Sequence, residues 1–192
     1  ALTFYFDVIS PYAYLAFDQL PRTLQGLSYT VNYQPVLFGG LLKHHGQLGP
    51  AEIAGKRDWT YRQSLWLARQ QGLTLRTPAA HPFNPLPLLR LAVACDAQGL
   101  PNRHVCETLF RHVWGEGLAA DDPQRLHALR EQLQPIHSPE DALVKERLRL
   151  ATQDALAKGV PLHFVARVEV LRERWYWYDR EVARQERMKR EG

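Results

Sequence analysis

A strand pattern opens this chain, disappears near residue 38 and returns only after residue 158, and that gap restricts the possible folds more than any other feature. Strands need partners, so the two ends must meet in one sheet. The middle is then an insertion into that sheet's domain and not a tandem domain. At the start, Leu2, Phe4, Phe6 and Val8 alternate with Thr3, Tyr5 and Asp7, the period of a strand buried on one face. A helix follows at once. Ser10 is a good N-cap, Pro11 occupies a first-turn position where its missing N–H costs nothing, and Tyr14, Leu15, Phe17 and Leu20 recur at helical spacing before Gly26. Residues 27–36 read as a second strand, with Leu27, Tyr29, Val31 and Tyr33 on one face. Two strands joined through a helix of this length predict a parallel βαβ unit.

Between residues 39 and 158 the pattern is helical throughout. Segments are predicted at 41–45, 50–71, 85–98, 101–114, 123–133 and 139–158, with proline at or near the first turn of most and Gly72, Gly99, Gly115 and Gly159 beyond the ends. The β signal resumes over 160–171, and Trp175-Tyr176-Trp177-Tyr178 supplies a partner strand for a hairpin. The tail after Asp179 is charged and offers only Val182, Ala183 and Met188 for packing. The predicted organisation is an α/β domain formed by residues 1–38 and 159–192, interrupted by an all-helical insertion at 39–158.

At 192 residues the chain can bury a core without covalent staples. Cys95 and Cys106 are too few for a disulfide scaffold or a zinc site, and Cys95 reads as a small buried hydrophobe. His44-His45 has no further ligand at metal spacing, so no metal is expected. No dinucleotide fingerprint, phosphate loop or nucleophile elbow is present. The net charge of +4 comes from Lys and Arg scattered among acids, which predicts solvated helix faces and no nucleic-acid footprint, while suiting small anionic ligands. No apolar run approaches membrane-spanning length and no leader pattern precedes the first strand, so a reducing cytoplasm is the expected location.

Ser10 is the residue with chemical potential. At the tip of a strand and the positive end of a helix, it admits two readings: a plain cap, or part of a site that stabilises an anion with free N–H groups and the helix dipole. Asp7, beside it on the strand, reads as structural.

Three segments then carry a resemblance. Phe6-Asp7-Val8-Ile9-Ser10-Pro11-Tyr12-Ala13-Tyr14-Leu15, Trp114-Gly115-Glu116-Gly117 and Gly159-Val160-Pro161, with His81-Pro82-Phe83-Asn84-Pro85 between them, resemble the 2-hydroxychromene-2-carboxylate isomerases and kappa-class glutathione transferases of the DsbA-like thioredoxin superfamily. The resemblance spans residues 2–161 and implies a thioredoxin-like fold carrying the helical insertion. Redox members of that superfamily have Cys-x-x-Cys where this chain has Ser10-Pro11-Tyr12-Ala13. A serine there forms no disulfide, but it can donate a hydrogen bond to a bound thiolate and favour its ionised form.

The cofactor implied is glutathione, with Ser10 as the catalytic residue that activates its thiol. Val160 and Pro161 match the family's cis-proline loop, whose outward-turned backbone pairs with the cysteinyl part of glutathione. Lys56 stands where the family places a lysine facing a glutathione carboxylate or the acid group of the substrate, and Gln47 stands where kappa-class members have Asn; both also read as ordinary solvated residues. Pro11, Tyr12 and Asn84 fall on the implied substrate side, and Asn84 before Pro85 is equally a helix cap. Beyond Pro161 the family's turn glycine and Gly-(Ser/Asn)-Asp-Arg step are reduced to Asp179-Arg180, so Asp179 is the one candidate for the γ-glutamyl end.

The activity implied is a glutathione-dependent isomerisation of a small aromatic carboxylate: thiolate attack on the substrate ring, opening, bond rotation, and release of the thiol. A kappa-like conjugating transferase and a non-catalytic glutathione- or peptide-binding protein are the alternatives. Homodimerisation is an expectation from the resemblance.

Overall fold

The computed structural model describes residues 1–160 and, beyond them, the backbone of two short strands at 168–170 and 173–175. Strand β1 (Leu2–Phe6) leads into helix α1 (Pro11–Thr23) and strand β2 (Val31–Pro35). The inserted helices follow as α2 (Phe38–His44), a 3₁₀ turn (Pro50–Glu52), α3 (Ala54–Gln71), α4 (Leu86–Ala94), α5 (Arg103–Trp114), α6 (Pro123–Leu133) and α7 (Ala142–Ala157). Strands β3 (Val168–Val170) and β4 (Glu173–Trp175) close the described part.

The sheet order is β2-β1-β3-β4. The β1–β2 pair is parallel, with Phe4 opposite Tyr33, as the connecting helix predicts. Strands β3 and β4 form an antiparallel hairpin, and β3 lies antiparallel to β1 with Val168 opposite Phe4. The two ends of the sequence thus build one sheet, and the helical insertion leaves it between the second and third strands as expected.

β1 is buried on both faces, not on one. Phe4 and Phe6 enter a cluster with Phe17, Tyr33 and Phe110, in which Phe6 and Phe110 lie 5.5 Å apart and Phe17 and Phe110 5.1 Å apart. On the opposite face Tyr5, only 1% exposed, packs with Val36, Leu41, Ala155 and Val160. The alternation marked Thr3, Tyr5 and Asp7 as the polar side. It misleads because α2 and α7 cover that side, and the Tyr5 hydroxyl is satisfied by Asp154 at 3.2 Å. The insertion and the sheet share the first cluster, to which Leu88, Leu109, Val113 and Leu148 also belong.

Several boundaries differ from the expectation. β2 begins at Val31, where the parallel register with β1 starts, and Leu27 before it is 62% exposed. The predicted helix 50–71 is split at Ile53: the Glu52 carboxylate accepts the Gly49 N–H at 2.6 Å and closes the 3₁₀ turn before α3 begins. The predicted helix 85–98 ends with α4 at Ala94. There Asp96 accepts the N–H groups of Gln98 and Leu100 and ties off a loop instead of continuing the helix. Helix α7 starts at Ala142, after a turn in which the Ser138 N–H donates to Asp141. Gly115 serves close approach: a Cβ there would stand 2.6 Å from the Arg111 carbonyl oxygen.

Candidate functional site

The turn between β1 and α1 is built from residues 7–10, and its polar groups are held from several directions. Asp7 follows the last residue of β1 and is wholly buried; its carboxylate accepts the N–H of Ile9 at 3.0 Å and that of Phe38 at 2.9 Å. The Asp7 carbonyl accepts the Ser10 N–H at 3.1 Å. The Val8 carbonyl takes the indole N–H of Trp114 at 2.8 Å. The Ile9 carbonyl lies 2.8 Å from His81 Nε2. Groups from α2, from the loop before α4 and from α5 thus converge on three consecutive residues, the first on the Asp7 carboxylate and the other two on the backbone carbonyls of Val8 and Ile9.

Burial pushes the Asp7 carboxyl up to about 7, outweighing the two backbone N–H groups that act in the other direction. The same cause lowers the His81 imidazole and favours its neutral form.

Ser10 is half-buried and caps α1 as predicted: its Oγ accepts the Ala13 N–H at 3.2 Å, and its backbone is extended. A hydroxyl that accepts through a lone pair keeps its hydrogen available for donation. The first turn of α1 has no acidic residue, and the nearby Asp7 carboxyl is held towards its neutral form by burial. The cap and anion-site readings are therefore compatible: the capping bond fixes Oγ, and the free hydrogen gives it a donor.

The other predicted residues fall into three groups. Pro11 is buried, and Tyr12 bonds through its hydroxyl to the Gln63 side chain, which joins the start of α1 to α3. Lys56 is exposed in the first turn of α3, the helix whose Tyr61 ring meets His81 at 5.6 Å. Asn84 is exposed and its Oδ1 accepts the Leu86 N–H at 3.1 Å, a local turn that leads into α4, whose N-cap residue is Pro85 and not Asn84.

Gln47 is exposed in the loop after α2, where its backbone N–H donates to Leu42, and no hydrogen bond ties it to the Ser10 turn. Val160 departs from the expectation of an outward-facing N–H. Its N–H donates to the Ala155 carbonyl at 3.0 Å and its side chain is buried, because Gly159, at φ +62°, ends α7 in a left-handed turn that directs the next N–H back onto the helix. Pro161 and Asp179 lie outside the described residues.

His81 and Trp114 are the residues whose roles the sequence did not disclose, although both belong to the motifs quoted above. Their rings are 5.5 Å apart, and His81 also meets Tyr61 at 5.6 Å and Phe83 at 5.9 Å. The available signal was chemical: a histidine and a tryptophan each bring one N–H donor into otherwise apolar surroundings. Neither cysteine is chemically poised, since burial pushes the Cys95 thiol up to about 11 and raises that of Cys106 further.

Comparison with known proteins points in one direction. Residues 1–171 match the family described as the DSBA-like thioredoxin domain. The chain is 25% identical over 170 residues to glutathione S-transferase kappa 2 of Caenorhabditis elegans, a match covering 81% of this chain and 75% of that protein. It is 28% identical over 120 residues to the 2-hydroxychromene-2-carboxylate isomerase of Pseudomonas putida, covering 62% of this chain and 58% of the isomerase. Among solved structures, a 2-hydroxychromene-2-carboxylate isomerase superposes with a TM-score of 0.74 at 24% identity, covering 98% of this chain and 94% of that one. At that identity the superposition speaks to the fold.

Proposed function

The chain belongs to the DSBA-like thioredoxin domain family, and from that premise we propose that it is a glutathione-dependent isomerase of the 2-hydroxychromene-2-carboxylate isomerase type, acting on a small aromatic carboxylate. The observation that carries the reading is Ser10: a hydroxyl fixed by its capping bond, with its hydrogen available, at the N-terminus of a helix whose first turn carries no acidic residue. Such a donor set suits a thiolate and would be poorly matched to a cation.

Glutathione, when bound, supplies a sulfur nucleophile that the chain itself lacks, as its two thiols are held protonated by burial. Ser10 donates to that sulfur and, with the dipole of α1, favours its ionised form. The pinned turn keeps the hydroxyl in place, so little reorganisation is needed when charge develops. Lys56, exposed at the start of α3, offers its ammonium to a carboxylate of glutathione or of the substrate. The N–H of Val160 is engaged by α7, so an approach of glutathione to this residue would use its carbonyl or require the turn at Gly159 to open.

A glutathione-conjugating transferase on the same site is the second reading, favoured by the longer match to the kappa-class protein. Calorimetry with glutathione, ultraviolet absorbance of the bound thiolate, and the same measurements on Ser10→Ala test the shared premise. Binding with a thiolate signal that disappears in Ser10→Ala is expected; absence of binding sinks both readings, and binding without thiolate leaves a non-catalytic binding protein. Turnover of 2-hydroxychromene-2-carboxylate against conjugation of an electrophilic aromatic separates isomerase from transferase.

A further inference from the structure

His81 is joined to the reactive turn by a single hydrogen bond. Its Nε2 stands 2.8 Å from the Ile9 carbonyl oxygen, one peptide unit before Ser10. A carbonyl oxygen carries no hydrogen, so Nε2 is the protonated nitrogen and donates; Nδ1 is then the bare one in the neutral ring. Nδ1 is buried and meets no hydrogen-bond partner among the described residues. The ring is fixed by its packing against Tyr61 of α3, Phe83 in its own loop and Trp114 of α5. The charged group that bears on it is Arg57 of α3, which, like burial, disfavours the imidazolium. Burial and Arg57 favour the neutral ring against the opposing pull of the Ile9 carbonyl, while that hydrogen bond and the ring packing fix one tautomer and one orientation, aimed at the peptide that carries Ser10.

We propose that His81 is a positioning residue for the Ser10 hydroxyl, acting through the Ile9 carbonyl to keep Oγ where it can donate to a bound thiolate. The inference rests on the glutathione reading and adds to it the residue that sets the serine. Trp114 holds the preceding carbonyl, that of Val8, so the two rings grip adjacent peptide units. Two successive peptide units, each held at its carbonyl, have little freedom to rotate, and they lead directly into the extended N-cap backbone of Ser10. Unlike the indole, the imidazole can lose its neutral form. Protonation would place a charge on Nδ1, which is buried without an acceptor, and would oppose the packing that fixes the ring.

The test compares His81→Phe, which keeps an aromatic ring without the donor, with His81→Gln, whose amide can donate in its place. The readout is the pH midpoint of bound-glutathione thiolate absorbance, measured beside glutathione affinity and circular dichroism. For His81→Phe the thiolate fraction at a given pH is expected to fall about tenfold, a rise of about one unit in the thiol midpoint, with affinity for glutathione little changed. His81→Gln is expected to restore most of the shift. A role confined to packing would move stability and leave the midpoint alone.

A wild-type midpoint retained in His81→Phe overturns this inference while the glutathione reading stands. Absence of any thiolate signal in the unmutated protein overturns both. Should His81→Phe fail to fold, nitrogen NMR of the unmutated protein decides: a ring protonated at Nε2 and bare at Nδ1 is required, and the opposite tautomer overturns the proposal.

Discussion

The indole N–H of Trp114 donates to the carbonyl of Val8 across 106 positions of sequence, at 2.8 Å, and both residues are fully buried. One bond thereby fastens the end of α5 to the turn after β1. Replacing Trp114 with Phe keeps most of the ring packing but leaves a buried carbonyl unpaired, so unfolding in urea should show a loss of about 1–3 kcal/mol. Trp114→Ala also opens a cavity and should lose about 3–5 kcal/mol. Equal losses for the two variants would mean that the ring packing adds nothing beyond the bond, and no loss in Trp114→Phe would mean that the bond adds nothing to the packing.

Stability and chemistry can be separated at Ser10. Ser10→Ala removes the cap of α1 and should destabilise the fold by about 1 kcal/mol. Ser10→Asp retains a capping oxygen and should stay within about 0.5 kcal/mol of the parent. Its carboxylate would repel a neighbouring thiolate, so the bound-glutathione absorbance should be lost in both variants. Denaturant titration beside the absorbance measurement checks the pair; a thiolate signal in Ser10→Asp would contradict an anion site at this position.

Asp7 makes stability depend on pH in the direction opposite to most carboxylates. Its folded-state value, about 7, lies above its ordinary 3.8, so the folded protein holds the proton more tightly than the unfolded chain. The contribution is therefore complete below about pH 4 and is lost as pH rises towards 7. The stability difference between the parent and Asp7→Asn should shift against the parent by about 1.4 kcal/mol per pH unit inside that window. Chemical denaturation of both proteins at several pH values measures it, and a parallel pair of curves would show that Asp7 titrates normally.

Thr152 links α7 to the turn after β2. Its hydroxyl donates to the Leu148 carbonyl at 2.8 Å and accepts the Leu37 N–H at 3.0 Å. Thr152→Val preserves shape and strands that amide, which should lower stability by about 1–3 kcal/mol, whereas Thr152→Ser keeps the acceptor and should lose less. Thermal unfolding of the two variants orders them; the reverse order would show that the methyl group matters more than the hydroxyl.

Much of the architecture was legible because it follows from local chemistry. Ser10-Pro11 marks a helix start in any context, the spacing of Tyr14, Phe17 and Leu20 marks its buried face, and a long gap between strand patterns marks an insertion. Element ends were less legible where a side chain outcompetes the helix for backbone groups, as Glu52 does before α3 and Asp96 after α4. Tyr5 was assigned to a polar face because alternation reports amphipathicity, and a strand covered on both sides has none. At the candidate site, position marked Ser10 as a cap or part of an anion site, and the resemblance singled it out as the thiol activator. His81 was not singled out, since its contact with Ile9 spans 72 positions and depends on how the loop before α4 folds back.

The sequence by itself determined the elements, their order, the serine at a helix N-terminus and the absence of a redox cysteine pair in that place, because each depends on neighbours within a turn or two. Only the tertiary structure decided which groups hold that serine. The burial that raises Asp7, the indole bond to Val8, the imidazole bond to Ile9 and the engagement of the Val160 N–H by α7 all arise where distant segments meet. A hydrogen bond needs its partners within about 3 Å, and no pattern along the chain encodes that approach.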